Sequence, residues 1–114
     1  MRFPKKLKLQ DTEKHALEEI ITYLRGKWPQ VIVKLFGSKV MGSTDPESDI
    51  DLFIELPVEV DDELRKEIVH KTFYVNLSYD SNIDVLIVSQ DDWENSLLRL
   101  LPIHAFIEKE GVDL

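Results

Sequence analysis

Apolar residues fall on one helical face early in the chain. Leu17, Ile20, Ile21 and Leu24 recur at i, i+3, i+4 and i+7, with Glu13, Lys14, Glu18 and Glu19 on other faces. This pattern predicts a helix from Asp11, capped by Asp11 or Thr12 and ended by Gly26 with Pro29. The period then changes. Residues 31–37, Val-Ile-Val-Lys-Leu-Phe-Gly, are β-branched and stop at glycine, which predicts a buried strand. Residues 49–56, Asp-Ile-Asp-Leu-Phe-Ile-Glu-Leu, alternate acid or aromatic with aliphatic and predict a second strand, closed by Pro57. Between them, 38–42 can hold at most a short helix, and Asp45-Pro46 supplies turn chemistry.

Asp61-Asp62 open a second long helix reaching roughly to Ser78, with Leu64, Ile68 and Val75 inward. Residues 82–89 predict a third strand. Ser89 with Asp92 three residues on resembles a capping box, and Trp93, Leu97, Leu100 and Leu101 form the apolar stripe expected of the helix it starts. Pro102 can begin a final helix carrying Ile103, Phe106 and Ile107, which Gly111 terminates. The expected order is α-β-β-α-β-α, an α/β (α+β) fold with a small sheet flanked by helices. The short connection between the first two strands favours an antiparallel pair, and so a mixed sheet.

The chain has 114 residues, the size of one domain, read as 1–114. Its net charge of −8 argues against broad binding to nucleic acid or anionic membrane, which needs clustered Lys and Arg. Lys5, Lys6 and Lys8 are the best candidate for a local basic contact, with a solvated arm as the plainer reading. Cysteine is absent, which removes disulfides and thiolate zinc sites and suits a reducing cytoplasm. No stretch approaches a membrane span, and the first residues lack a signal-peptide apolar region. His15, His70 and His104 are scattered over three helices without metal-ligand spacing, and Trp28 and Trp93 read as packing residues. A cytoplasmic location is the expectation, and oligomeric state is left open.

The second strand carries the unusual chemistry. Side chains two apart on a strand point the same way, about 7 Å apart. Asp49 and Asp51 therefore project together with Phe53 beyond them, while Ile50, Leu52 and Ile54 face the core. Such a pair alone also suits an edge strand that uses charge against aggregation. Gly37-Ser38, at the end of the preceding strand, offers close backbone approach, outward amides and a hydroxyl to an anion. Asp84 lies inside the apolar run Ile83-Asp84-Val85-Leu86-Ile87, where a lone charge is costly. If the third strand neighbours the second, three carboxylates meet. Two-metal phosphoryl transfer uses such a cluster, with Mg²⁺ also holding triphosphate oxygens.

Gly37-Ser38, Gly42 and Ser48-Asp49-Ile50-Asp51-Leu52 together resemble the glycine-serine and Asp-x-Asp signature of the DNA polymerase β-like nucleotidyltransferase superfamily. Within it, residues 35–56 and the short length resemble the minimal nucleotidyltransferases (MNT), and the closing Ile-Glu-Lys-Glu-Gly-Val-Asp-Leu is similar to their ending. The resemblance implies Mg²⁺-dependent transfer of a nucleoside monophosphate, AMP foremost, from ATP or another nucleoside triphosphate to a hydroxyl. It implies that Gly37, Ser38, Lys39, Gly42 and Ser48 serve the nucleotide, and that Asp49, Asp51 and Asp84 hold two metal ions and carry catalysis. Many minimal members have Arg-Ala-Arg where this chain has Lys39-Val40-Met41. Lys39 keeps a cation there, as a point charge without a bidentate fork, and Met41 removes the second one. Asp80 competes with Asp84 as third carboxylate, and Asp84 is preferred because it lies within a strand. The resemblance further implies a helical HEPN partner, with a tyrosine of that toxin as acceptor. A non-catalytic antitoxin module masking the partner and a stand-alone enzyme on a small hydroxylated molecule are the alternatives.

Overall fold

The computed structural model describes residues 1–42 and 48–114. The Asp45-Pro46 turn lies outside the described residues. Helix α1 (Asp11–Lys27) buries Ala16, Leu17, Ile20, Ile21 and Leu24 on one face. Its start is capped one residue earlier than Asp11, where the Gln10 N–H donates to Glu13 Oε1 at 2.8 Å. The helix runs through Gly26 and closes where the Trp28 N–H meets the Leu24 carbonyl at 2.8 Å, just before Pro29. Helix α2 (Asp62–Tyr79) is capped by Asp61, whose carboxylate accepts from the Leu64 N–H, and ends at Asp80 in the left-handed conformation.

Strands β1 (Ile32–Phe36), β2 (Ile50–Leu56), β3 (Ile83–Ser89) and β4 (Val112–Asp113) form a mixed sheet in the order β3-β2-β1-β4. β1 pairs antiparallel with β2 and with β4, and β2 pairs parallel with β3. The α2 crossover makes the parallel pair possible. β4 was not expected after Gly111. It adds a two-residue edge in which Leu35 faces Val112, and the Leu114 N–H reaches the Val33 carbonyl at 3.0 Å.

Alternation divides the sheet residues between two layers. Val33, Leu35, Ile50, Leu52, Ile54, Leu56, Ile83 and Ile87 join α1 and the inner face of α2 (Ile68, Val75) in the main core. The opposite face carries Phe53 and Val88, covered by Trp93 of α3 (Gln90–Asn95) and Ile107 of α4 (Pro102–Glu110). Phe53 and Trp93 pack with ring centroids 4.6 Å apart, the packing role expected of Trp93, and His104 stacks on Trp93 at 4.2 Å. No helix among the described residues is long and apolar enough to cross a membrane.

The expected leucine stripe after Trp93 does not form. Ser96 is extended, accepts from the Leu98 N–H and donates to the Asp92 carbonyl, which ends α3 after six residues. A 3₁₀ turn, Leu97–Leu100, follows with a tighter period, and Leu97 and Leu100 are 79% and 78% exposed. In α4 only Ile107 is buried, whereas Ile103 and Phe106 remain exposed. Leu97→Ser or Leu100→Ser is therefore expected to change unfolding free energy by less than about 0.5 kcal/mol. Urea midpoints at constant slope check this, and a core-sized loss at either leucine would restore the stripe.

Candidate functional site

The site begins where β1 stops. Gly37 has φ +80°, and its carbonyl accepts from the N–H groups of Val40 (3.1 Å) and Met41 (3.2 Å), so 37–42 is a compact turn. These two bonds close the turn. Ser38 is exposed and Met41 is 67% exposed. Val40 leans on the main core. Lys39, expected beside a triphosphate, is only 1% exposed, with its ammonium 3.2 Å from Glu13 Oε2 on α1. Gly42 also has a positive φ, +94°.

The ladder places the acids. Asp51 lies opposite Phe36 of β1 and opposite Asp84 of β3, so Asp51 and Asp84 share a face at the ~4.8 Å strand spacing. A Cβ at Gly37 would sit 2.0 Å from Asp51 Oδ2, so that carboxylate lies directly against the glycine backbone. Burial pushes the Asp51 carboxyl above the usual carboxylate range, and the charges of Asp84 and Asp49 push it the same way. Asp49 stands one residue before β2, exposed, with Ser48 half-buried beside it. Asp80 is the left-handed end of α2 and lies outside the ladder.

Two residues of this neighbourhood were not singled out from the sequence. Asn82 accepts from the Ile50 N–H at 2.9 Å through its carbonyl, and its side-chain amide donates to Asp49 Oδ1. It thus fixes both the first rung of the β2–β3 pair and one oxygen of Asp49. No period or motif marks it. Glu13, assigned to an outer face, is buried. Its place four residues before Leu17, on the apolar stripe of α1, was the available signal.

A groove of ≈ 240 Å³ opens at the outer edge of β3, lined by Val69, Thr72, Phe73, Asn76, Ile83, Asp84 and Val85. Asn76 occupies one end of that edge, donating to the Ile83 carbonyl and accepting its N–H. Among the described residues, no group of three or more histidine or carboxylate side chains is gathered to hold a metal ion unaided. The aspartates offer a partial set of hard oxygen donors. Mg²⁺ is commonly held by one or two carboxylates, with waters and substrate phosphates completing its shell.

Known proteins resemble this chain in sequence and in fold. A family model described as a nucleotidyltransferase domain matches residues 17–77, more than half of the chain, a span that includes Gly37, Asp49 and Asp51 but stops before Asp84. A chain in a crystal structure of a toxin–antitoxin with AMP-PNP is 25% identical with a TM-score of 0.56, covering 84% of this chain and 69% of that one. A chain in a variant of the MntA–HpeT toxin–antitoxin is 26% identical with a TM-score of 0.53, covering 86% and 70%. A chain in the structure of a tri-AMPylated Shewanella oneidensis HEPN toxin with its MNT antitoxin shares the fold at 22% identity, with a TM-score of 0.53, covering 88% and 69%. No curated protein matches the sequence significantly.

Proposed function

This chain belongs to the nucleotidyltransferase domain family, and from that premise we propose that it moves AMP from ATP to a hydroxyl, a tyrosine of a HEPN-type partner protein, as a cytoplasmic antitoxin. The observation that carries this reading is the Asp51–Asp84 pair in register against the Gly37 turn. Carboxylates and an anion-accepting turn meet at one sheet end, which suits a triphosphate whose charge a cation balances. The toxin–antitoxin neighbours, one with AMP-PNP and one with an AMPylated HEPN toxin, support the nucleotide and the partner.

In the proposed reaction, the acceptor hydroxyl oxygen bonds to the α-phosphorus. The bond from that phosphorus to the bridging oxygen of the β-phosphate breaks, and pyrophosphate leaves with the electron pair. Asp84, exposed on the edge strand, is placed to take the hydroxyl proton. Ser38 orients the phosphate tail through its hydroxyl, and Gly37, Gly42 and Ser48 shape the turn around it. Asp49, Asp51 and Asp84 would hold the two Mg²⁺ ions, which supply charge neutralisation and Lewis acidity when bound. Asn82 keeps Asp49 in place.

The acceptor side of the site is the β3-edge groove, because Asp84 itself lines it. Phe73, 55% exposed at its rim, then contacts the partner. Phe73→Asp is expected to slow transfer to the partner about tenfold or more, the scale of a central interface residue, with unchanged ATP affinity. An equal loss of ATP affinity would remove the groove from the reading.

A masking module without transfer is the second reading. The inward Lys39 and apolar Met41 favour it, because they leave the triphosphate turn poor in cations. Labelled ATP, Mg²⁺ and the protein encoded by the adjacent gene separate the two. Label on a partner tyrosine is the expected result. No label with any nucleotide, together with intact neutralisation by the Asp49→Asn/Asp51→Asn protein, leaves only masking.

A further inference from the structure

We propose that Glu13, in the first turn of α1, is a positioning residue for the triphosphate turn and acts through Lys39; its use in catalysis rests on the nucleotidyltransferase reading above. A lysine that is 1% exposed is rare, and a buried ammonium persists only when paired. Glu13 supplies that pair at 3.2 Å from one carboxylate oxygen. Its other oxygen accepts the Gln10 N–H that caps α1. One buried carboxylate therefore ties the start of α1 to the turn that follows β1.

The consequence is directional. Lys39 and Val40 point inward, to Glu13 and to the main core, while Ser38 and Met41 are left outward. Gly37 accepts from the Val40 and Met41 amides, so anchoring the centre of the turn also holds the glycine that backs Asp51. Lys39 thus acts on the triphosphate by setting the turn from beneath. Removing either member breaks this tie between α1 and the turn, which loosens the turn.

Glu13→Gln separates the roles, because the amide oxygen can still accept from Gln10 while the charge is gone. In the ligand-free protein, hydrogen exchange of the Val40 and Met41 amides is expected to accelerate about tenfold, with that of Val75 in α2 unchanged. Glu13→Gln, Lys39→Met and the double variant should each raise the KM for ATP by a similar factor, about tenfold, with kcat within about twofold. Affinity for a non-hydrolysable ATP analogue with Mg²⁺ should fall in step. Unchanged exchange in Glu13→Gln overturns the proposal. So does weakened binding in Lys39→Met alone, which would make Lys39 a direct phosphate ligand. A wild-type protein that binds no triphosphate defeats the nucleotidyltransferase reading, while the exchange measurement still decides the Glu13–Lys39 tether.

Discussion

Asp51→Asn is expected to cut nucleotidyl transfer steeply and, at neutral pH, to make the protein more stable. The carboxyl is partly buried and faces Asp84 across the ladder, with Asp49 two residues earlier, just before the strand begins. Burial, then Asp84, then Asp49, all raise its pKa, so its ionised form is disfavoured in the folded state. The amide keeps the shape and removes the charge. Transfer should drop on the order of 10²–10³-fold or more, the scale set by removing one electrostatic contact to a reacting centre. The melting temperature should rise.

The pH dependence gives the sign. Below the unfolded pKa, about 3.9 for aspartate, both states are protonated and Asp51 has no cost. As pH rises from there through the raised folded value, the unfolded state releases its proton first and stability declines. Above the folded value the cost is complete. The stability advantage of Asp51→Asn should therefore be absent in acid and largest near neutrality, as melting curves across that range would show. Mg²⁺ with an ATP analogue should stabilise wild type far more than the variant. A variant less stable than wild type at neutral pH would mean that Asp51 is stabilised as a carboxylate without metal, and the metal reading would fail.

Much of this was legible because period and chemistry agreed. The 3.6-residue stripe of α1 and the two-residue alternation of β2 each force one face inward, and Ile50, Leu52 and Ile54 are fully buried as a result. The helix-long β2–β3 connection fits the parallel pairing found there, whereas residues 37–49 between β1 and β2 are too many for length alone to settle the antiparallel pairing. What failed was local competition. Ser96 offered its hydroxyl to the backbone, and that bond outweighed a leucine pattern reading as one helix. β4 is two residues long, too short to carry any period.

The acids were legible by spacing, whereas their surroundings were not. The ladder puts Asp84 opposite Asp51 because both lie one residue after the start of their strands. Asp80 is excluded from it by the turn that ends α2. Lys39 reads as a phosphate cation in one dimension. Only the packing of α1 across the turn shows that its ammonium meets Glu13. A lone sequence gives no register between α1 and 37–42, so a buried pair between them is invisible until both are placed.

Gly37→Ala tests whether the glycine serves the backbone or the carboxylate. At φ +80° any L side chain carries a strain of roughly 1–2 kcal/mol. The added Cβ would also stand 2.0 Å from Asp51 Oδ2, 2.9 Å from Cγ and 3.2 Å from Cβ. The far end of the aspartate can swing, so the clash costs little stability beyond the strain but moves the oxygen that the reaction needs. Gly42 is the control. Its φ is +94°, yet among the described residues a Cβ there meets nothing within 4 Å. Gly42→Ala should lose about 1–2 kcal/mol in urea unfolding and keep the Asp51 geometry. Gly37→Ala should lose a similar amount, about 1–3 kcal/mol, and in addition most of its transfer activity. If displacement of Asp51 is the cause, the Gly37→Ala/Asp51→Asn protein will transfer no more slowly than Asp51→Asn alone, since one interaction cannot be removed twice. Additive losses would instead assign Gly37 its own contact with the triphosphate, independent of the carboxylate it shelters.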